Sequence, residues 1–254
     1  MATSTVRFTA TKLTDINKKG LLLPDSEGYY ELPVGGLNVV NSSGQFYTLE
    51  GAKDLFDSSS IFMRRVRNGC LKGELGHPKR LPGMSLDDYI QRIVTIDEKN
   101  VCCFFKELWL DFEFGKKNPQ LGTPDLVAVM AKLKPSGPFG PALKESLDSI
   151  GENVCFSVRG LTRDFYKNGT TYRTLDQIVT YDAVGEGGKL VASKYSSPAL
   201  ESFEETIVTQ RQLERVTNNT IEGISTEDSK IIAKECLKVF NKNITKPESV
   251  LTKW

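Results

Sequence analysis

Short runs of β-branched and aromatic residues, interrupted by Gly and Asn-Ser turn signals, recur along most of the chain. The second half of segment 101–114 shows the pattern most clearly, since Leu110, Phe112 and Phe114 alternate with residues of the opposite face. A period of two is typical of a half-buried strand, and turn signals mark where such strands end. We therefore predict strands at 4–13, 29–40, 101–114, 124–134, 153–159, 171–184 and 189–195, and another that runs from Gly69 into a turn.

Helical spacing of apolar residues is confined to shorter segments. In segment 48–57, four apolar residues fall on one helical face behind Thr48. Ser85 is a favourable N-cap residue, and Pro141 suits the first helical position of a later segment. We predict helices at 48–57, 58–67, 85–93, 141–150, 200–215 and 226–241.

The composition changes near Tyr195, where Tyr195-Ser-Ser-Pro198 has the character of a linker. Before it the chain is rich in predicted strands, and after it the chain is charged and poor in aromatic residues. We predict an α+β, β-rich unit at 1–195 and a polar helical extension at 196–254.

Charge and hydropathy make two classes of partner improbable. The 33 basic and 32 acidic residues leave a net charge of +1, so no overall field favours nucleic acid or an anionic membrane. No stretch reaches the roughly 20 apolar residues that span a bilayer, and the first residues lack the apolar core of a secretory signal. We expect neither nucleic acid nor membrane as a partner.

The five cysteines are odd in number and show no Cys-x-x-Cys spacing. Together with a single histidine they make a poor zinc ligand set, so we expect no metal and no cofactor. Free thiols in this number fit a reducing cytoplasm.

The single histidine, His77, is the obvious candidate for acid–base chemistry. Imidazole has the side-chain pKa nearest to neutrality, and any imidazole chemistry in this chain must use this residue. The alternative is that His77 is only a turn residue before Pro78.

A candidate nucleophile, Ser157, lies in a strand-like run and is followed by Arg159 and Gly160. A nearby cation and a closely approaching backbone N–H are what an oxyanion requires. The alternatives are that Ser157 is an ordinary strand hydroxyl, or that Cys155, two residues away on the same face, is the nucleophile instead.

Two motifs together resemble a known family. Gly73-Glu-Leu-Gly-His-Pro78 and Ser157-Val-Arg-Gly-Leu161 resemble the histidine and serine motifs of the prohead (capsid maturation) proteases of tailed bacteriophages, especially the large myovirus type. That family is distantly similar to the herpesvirus assemblins. The resemblance covers most of residues 30–200 and includes Tyr181-Asp-Ala-Val184, but the extension after residue 196 matches nothing in it.

The resemblance implies that His77 is the general base and Ser157 the nucleophile. Asp182, which lies in the similar segment Tyr181-Asp-Ala-Val184, is our choice for the carboxylate that orients the ring. The herpesvirus relatives have a histidine in that place, and this chain has no second histidine. Backbone N–H groups near Arg159 and Gly160, or in the loop 185–188, would stabilise the oxyanion. Three other carboxylates are rivals for the third position, namely Glu74, Asp111 and Glu113, and Glu74 is expected to point away from His77.

The family resemblance also implies a fold and a biological role. The fold would be a closed or partly closed small β-barrel surrounded by helices. The activity would be that of a serine endopeptidase cleaving scaffold and capsid precursors inside the prohead, in the host cytoplasm. Whether the protein forms a homo-oligomer is left open.

Cleavage in this family is commonly after glutamate, so a basic specificity pocket is expected. Arg159 and the cluster Arg64-Arg65-Arg67 are candidates for that pocket. Self-cleavage is predicted within 199–201 or 225–227. The rival interpretations are a non-enzymatic scaffold or structural protein of the virion, and a cysteine hydrolase that pairs Cys155 with His77.

Overall fold

Two β-sheets organise the chain in the computed structural model, which describes residues 5–13, 22–41, 44–121, 123–185, 206–209 and 215. The first sheet has the strand order β10-β1-β8-β9-β4-β3, and the second has the order β2-β7-β6-β5. The strands are β1 (Thr5–Leu13), β2 (Tyr30–Leu37), β3 (Val39–Val40), β4 (Gln45–Tyr47), β5 (Lys72–Glu74), β6 (Val101–Asp111), β7 (Val127–Pro135), β8 (Cys155–Lys167), β9 (Thr170–Val184) and β10 (Thr206–Thr209).

Short helices connect and flank these strands. The Ser85 side chain accepts a hydrogen bond from the Asp88 N–H and thereby caps α3, as its position in the sequence predicts. Pro141 lies in the first turn of α5. The α-helices are α1 (Leu49–Ala52), α2 (Ile61–Arg67), α3 (Leu86–Val94), α4 (Phe114–Lys117) and α5 (Gly140–Asp148), with 3₁₀ turns at Lys53–Phe56, Glu98–Asn100 and Pro119–Leu121.

The main core lies where strands of both sheets face one another. The Phe105 ring on β6 lies 6.5 Å from the rings of Phe156 on β8 and Tyr181 on β9, between ring centroids. All three side chains are almost fully buried. Since burying one large apolar side chain stabilises the fold by about 1.5–3 kcal/mol, this contact holds the strands of the site in place.

The α+β class and the abundance of strands are confirmed. The expectation of a closed barrel is wrong for the described residues, where the strands form two open sheets joined by one parallel bridge between Leu75 and Ala183. The edge strands explain the open ends of the second sheet. β5 has three residues, and β2 contains Pro33, which has no N–H to donate and suits an edge position.

The predicted helix at 200–215 is wrong over Thr206–Thr209, which forms β10 and pairs antiparallel with β1. This segment, Thr-Ile-Val-Thr, consists of β-branched residues whose stiff side chains favour a strand over a helix. The predicted strand at 189–195 and the helix at 226–241 lie outside the described residues. Among the helices that the structure describes, none has the length and apolar character needed to cross a membrane.

Candidate active site

A long hairpin of β8 and β9 carries two of the three predicted catalytic residues, Ser157 and Asp182. Its turn at Asn168 and Gly169 has positive φ values of 50° and 79°, as tight hairpin turns between such strands require. The resulting register places Ser157 directly opposite Asp182. Directly opposed residues of antiparallel strands project from the same face, so the hydroxyl and the carboxylate are neighbours. Both residues are fully buried.

The third predicted residue, His77, follows β5 and is held beside the end of β9. The Gly76 N–H donates to the Ala183 carbonyl at 2.6 Å, and Gly76 has φ +78°, a value that side chains disfavour. On the other side of the histidine, the Tyr89 hydroxyl of α3 donates to the Pro78 carbonyl at 3.2 Å. The backbone is therefore fixed on both sides of His77.

The structure brings His77 and Asp182 into direct contact. The distance between His77 Nδ1 and Asp182 Oδ2 is 2.9 Å. An ionised carboxylate can only accept, so Nδ1 carries the hydrogen and Nε2 presents its lone pair. Both His77 Nε2 and Ser157 Oγ are buried, and neither has a hydrogen-bond partner among the described residues. A basic nitrogen and a hydroxyl are thus left unsatisfied on either side of Asp182.

Asp182 receives two further hydrogen bonds and one further ion-pair contact. Its Oδ1 accepts from the Glu74 backbone N–H and from Arg159 Nη2, each at 3.1 Å. Arg159 Nε lies 3.0 Å from Oδ2, close enough for an ion pair although its N–H is not aligned for a hydrogen bond. Burial alone would raise the pKa of Asp182, but the Arg159 charge, the His77 hydrogen bond and the Glu74 N–H together lower it. Asp182 is therefore an ionised acceptor for the ring.

Arg159 lies behind Asp182 and is buried, with 3% of its surface exposed. Its guanidinium also contacts Glu74 Oε1 at 2.9 Å and the Thr95 carbonyl at 3.1 Å. Glu74 in turn is paired with Arg92 of α3, through Oε1 at 3.0 Å and through a second contact at Oε2. The substrate-binding role predicted for Arg159 is untested, and these contacts favour a role behind the acid.

Gly160 lies in the interior of the first sheet. It is paired with Thr9 of β1 on one side and with Ile178 of β9 on the other. A Cβ at this position would lie 2.1 Å from the Gln177 carbonyl oxygen, so only glycine permits this approach. The predicted oxyanion role of Gly160 is untested, and its place between two strands supplies a structural reason for the residue.

The rival residues lie in different surroundings. Cys155 is a buried thiol that pairs with Val184 in the hairpin. It lies two residues before Ser157, on the same face of β8. The Glu74 carboxylate belongs to the cluster behind Asp182, where it contacts Arg92 and Arg159. Asp111 and Glu113 lie at the far end of β6, where they are bound to lysines of α4.

The basic cluster on α2 divides between two environments. Arg65 is buried and donates to the Val179 carbonyl at 2.7 Å, whereas Arg64 is exposed. Arg67 is exposed and donates to the Ser58 carbonyl. No group of three or more metal-binding side chains occurs among the residues that the structure describes.

Arg92 is the member of the site that the sequence analysis did not identify. It lies on a predicted helix, where a basic residue is usually solvated. The sequence did indicate that a cation is needed, because Glu74 is an acidic residue within a short strand and a buried carboxylate requires a cationic partner. Its partner could not be named from the sequence, since 18 residues separate Glu74 from Arg92.

The chain matches the Peptidase S80 family over residues 8–243. It is 37% identical over 235 residues to the capsid maturation protease of Pseudomonas phage phiKZ, which covers 90% of this chain and 82% of that protein. The bacteriophage T4 capsid assembly protease has a TM-score of 0.46 and 16% identity, covering 70% of this chain and 98% of its own. Structural similarity at that level carries no conclusion about the site.

Proposed function

The chain belongs to the Peptidase S80 family, and we propose that it is a serine endopeptidase in which Ser157, His77 and Asp182 form the catalytic triad. The observation that supports this most is the chain of contacts at the β8–β9 hairpin. Asp182 holds His77 through Nδ1 at 2.9 Å, and Ser157 is the cross-strand neighbour of Asp182. Nε2 of the ring and Oγ of the serine are both buried, and neither has a hydrogen-bond partner among the described residues.

The chemistry is acyl transfer. Ser157 Oγ attacks the peptide carbonyl carbon while its proton passes to His77 Nε2. The tetrahedral intermediate then expels the amine, which takes the proton from the imidazolium, and an acyl-enzyme remains. Water deprotonated by the same nitrogen hydrolyses the ester and restores the serine. In unliganded enzymes the serine–histidine hydrogen bond is often long and tightens only when substrate binds.

Asp182 has two functions in this scheme. Its hydrogen bond fixes the ring in the tautomer that presents a basic Nε2, and its charge stabilises the imidazolium that forms. The Arg159 and Glu74 contacts keep the carboxylate ionised in spite of full burial. Of the two predicted oxyanion sites, we favour the segment that begins at Gly185, because Gly160 is enclosed between two strands.

The relatives supply the biological setting. A relative that is 37% identical over most of both chains is named a capsid maturation protease. We therefore propose that this protein cleaves scaffold and capsid precursors during prohead maturation, and that it acts inside the prohead. Cleavage after glutamate remains a prediction from the family resemblance, as does a distant relationship to the herpesvirus assemblins.

A mass-spectrometric comparison tests the proposed nucleophile and base. Wild type, Ser157→Ala, His77→Ala and Cys155→Ala are each incubated with a scaffold fragment that contains several glutamates. We expect cleavage by wild type and Cys155→Ala, and none by the other two variants. Cleavage by Ser157→Ala together with its loss in Cys155→Ala would instead identify a cysteine hydrolase. Intact fragment with folded wild-type protein would favour the non-enzymatic structural role.

Self-cleavage provides a second test that needs no added substrate. Wild-type protein is expected to shorten from its C-terminal side, with new ends within 199–201 or 225–227, while Ser157→Ala stays intact. These segments lie outside the described residues, so the prediction depends on their sequence alone. Equal shortening of both proteins, measured by intact mass, would contradict it.

A further inference from the structure

A buried carboxylate that the triad does not use lies directly behind it. Glu74 is 1% exposed and accepts four hydrogen bonds, from both terminal nitrogens of Arg92, from Arg159 Nη2 and from the Asp97 backbone N–H. Burying a carboxylate is costly unless it is paired and hydrogen-bonded, and all of these contacts serve that purpose. None of them reaches His77 or Ser157.

The charges of this cluster matter for the triad because Arg159 touches the catalytic carboxylate. A guanidinium within hydrogen-bond distance of Asp182 opposes the positive charge that His77 must acquire during acyl transfer. Asp182 beside Arg159 alone would be an ion pair with little net field at the ring. Glu74 accepts a hydrogen bond from Nη2 of Arg159, the same nitrogen that donates to Asp182, and adds a negative charge that balances the guanidinium.

The two arginines and two carboxylates therefore form an alternating chain of charges. From the ring outward the order is Asp182, Arg159, Glu74 and Arg92, with each neighbouring pair in direct contact. Their formal charges sum to zero. Arg92 is the member that reaches solvent, since 21% of its side chain is exposed. Removing the charge of Glu74 and removing the charge of Arg92 should therefore have opposite effects on the protonation of the His77 ring.

We propose that Glu74 is a positioning residue of the peptidase, which holds Arg159 against Asp182 and offsets its charge so that His77 can accept a proton from Ser157. Glu74 does this in two ways. Its backbone N–H donates to Asp182 Oδ1, and its carboxylate takes up the guanidinium of Arg159. The other terminal nitrogen of Arg159, Nη1, donates to the carbonyl oxygens of Ile93 and Thr95 at the end of α3, which also holds the guanidinium in place.

Other ionisable groups near the site do not replace this arrangement. From β6, the Cys103 thiol is neutral, because burial, its contact with Cys102 and the charge of Asp182 raise its pKa well above the usual value. Lys79 and Arg80 follow His77 in the sequence and are exposed to solvent, which screens their charges.

The remaining ionisable groups lie on the far side of the cluster. Asp97 contributes its backbone N–H to Glu74 and its carboxylate to the Asn100 side chain. Lys72 of β5 is paired with the exposed Glu98 at 2.7 Å, away from the buried chain of charges. Glu98 is therefore a carboxylate close in sequence to the cluster that takes no part in it.

Titration of His77 by NMR tests the proposal. His77 is the only histidine in the chain, so its imidazole signal needs no assignment. The measurements use a Ser157→Ala background to prevent self-cleavage, with Glu74→Gln, Arg92→Gln, the double variant and Glu98→Gln as the matched exposed control. We expect Glu74→Gln to move the midpoint about half a pH unit or more to lower pH, and Arg92→Gln to move it to higher pH. The double variant should lie near the parent, and Glu98→Gln should not move.

Opposite shifts are the outcome that a merely structural role would not produce. Equal midpoints in all variants, or shifts of the same sign in Glu74→Gln and Arg92→Gln, would overturn the proposal. If Glu74→Gln does not fold, Arg92→Gln and the double variant decide the sign alone. The inference rests on the proposed function in one respect, the role of His77 as the general base. The titration follows protonation of His77 and not cleavage, so its result is independent of whether the protein is active as a peptidase.

The same variants in the Ser157 background connect the shifts to the reaction. The acid limb of the pH–rate profile for cleavage of a scaffold fragment should move in the same direction as the NMR midpoint, and kcat should fall in Glu74→Gln. A fall in kcat with an unmoved pH profile would contradict the proposed role.

Discussion

Two charged clusters of similar composition lie at different depths in this protein. In the buried cluster, the carboxylates of Glu74 and Asp182 face Arg92 and Arg159 and are 1% and 0% exposed. On the surface of the second sheet, Asp25 and Glu27 face Lys132 and Lys106, and the four side chains are between 28% and 62% exposed. Both clusters form ion pairs at distances near 3 Å or below. They differ in access to water.

Access to water decides how strongly an ion pair affects its neighbours. Exposed pairs exchange with water at little cost. In the surface cluster, Lys106 also lies over the Tyr29 ring, with its Nζ 4.7 Å from the ring centroid. Buried charges cannot replace a lost partner with water, so each charged side chain depends on the next one in the cluster. The chemistry proposed for His77 depends on the second kind of cluster.

The largest contrast is expected in the reaction rate. Asp182→Asn should slow cleavage of a scaffold fragment by about 10³–10⁴-fold, because the amide favours the wrong ring tautomer and cannot stabilise the imidazolium. Asp25→Asn, the same chemical change in the exposed cluster, should leave the rate unaltered. Steady-state kinetics of both variants makes the measurement, and a drop of less than tenfold for Asp182→Asn would argue against its role.

Stability should show the next largest contrast. Arg159→Met leaves two buried carboxylates without their shared cation, which should lower the free energy of unfolding by about 3–5 kcal/mol. The matched change Lys106→Met removes an exposed partner of Glu27 and should hardly move the urea midpoint. Chemical denaturation followed by circular dichroism compares the two, and similar losses would mean that burial is not what distinguishes the clusters.

Acid should weaken the buried cluster. The folded pKa of Asp182 lies below its ordinary value of 3.8, so at low pH the unfolded chain binds a proton that the native protein does not. The contribution of Asp182 to stability is therefore complete above that ordinary value and is lost as pH falls through the folded pKa. The difference in unfolding free energy between wild type and Asp182→Asn should shrink as pH is lowered from about 5. A difference that grows on acidification would reverse the assigned sign.

Salt should produce the smallest contrast. Raising the ionic strength to about 1 M reduces the Debye length to about 3 Å and screens exposed charges far more than buried ones. The stability difference between wild type and Glu27→Gln should therefore fall with added NaCl, and that between wild type and Glu74→Gln should stay nearly constant. Thermal unfolding at several NaCl concentrations measures both differences.

Sequence reasoning named three residues that the structure brings together, His77, Ser157 and Asp182, but it did not identify the cluster that contacts Asp182. His77 stood out because it is the single histidine, and Ser157 and Asp182 came from the motif resemblance. The contact of His77 with Asp182 spans 105 residues and depends on the register of β9 against the segment after β5. Such a register is set by the two packed sheets, which no local pattern describes.

Strand and helix positions were predictable where one face is buried. The strand predicted at 101–114 corresponds to β6 as far as Asp111, whereas Phe112 lies exposed in a turn and Phe114 begins α4. The capping residue Ser85 precedes α3, as predicted. The helix expected near Thr206 was wrong because pairing with β1 decides that segment, and this partner lies about two hundred residues earlier in the chain. The closed barrel was inferred from the family alone, and edge strands are set by tertiary contacts.

Covalent labelling of the nucleophile tests the central claim most directly. A fluorophosphonate reacts with a serine that an adjacent base has activated, and peptide mass mapping then locates the adduct. The protein is predicted to carry one adduct, on Ser157, and labelling should disappear in His77→Ala and slow strongly in Asp182→Asn. An adduct on another residue, or equal labelling of Ser157 in His77→Ala, would contradict the assignment of His77 and Ser157 as base and nucleophile.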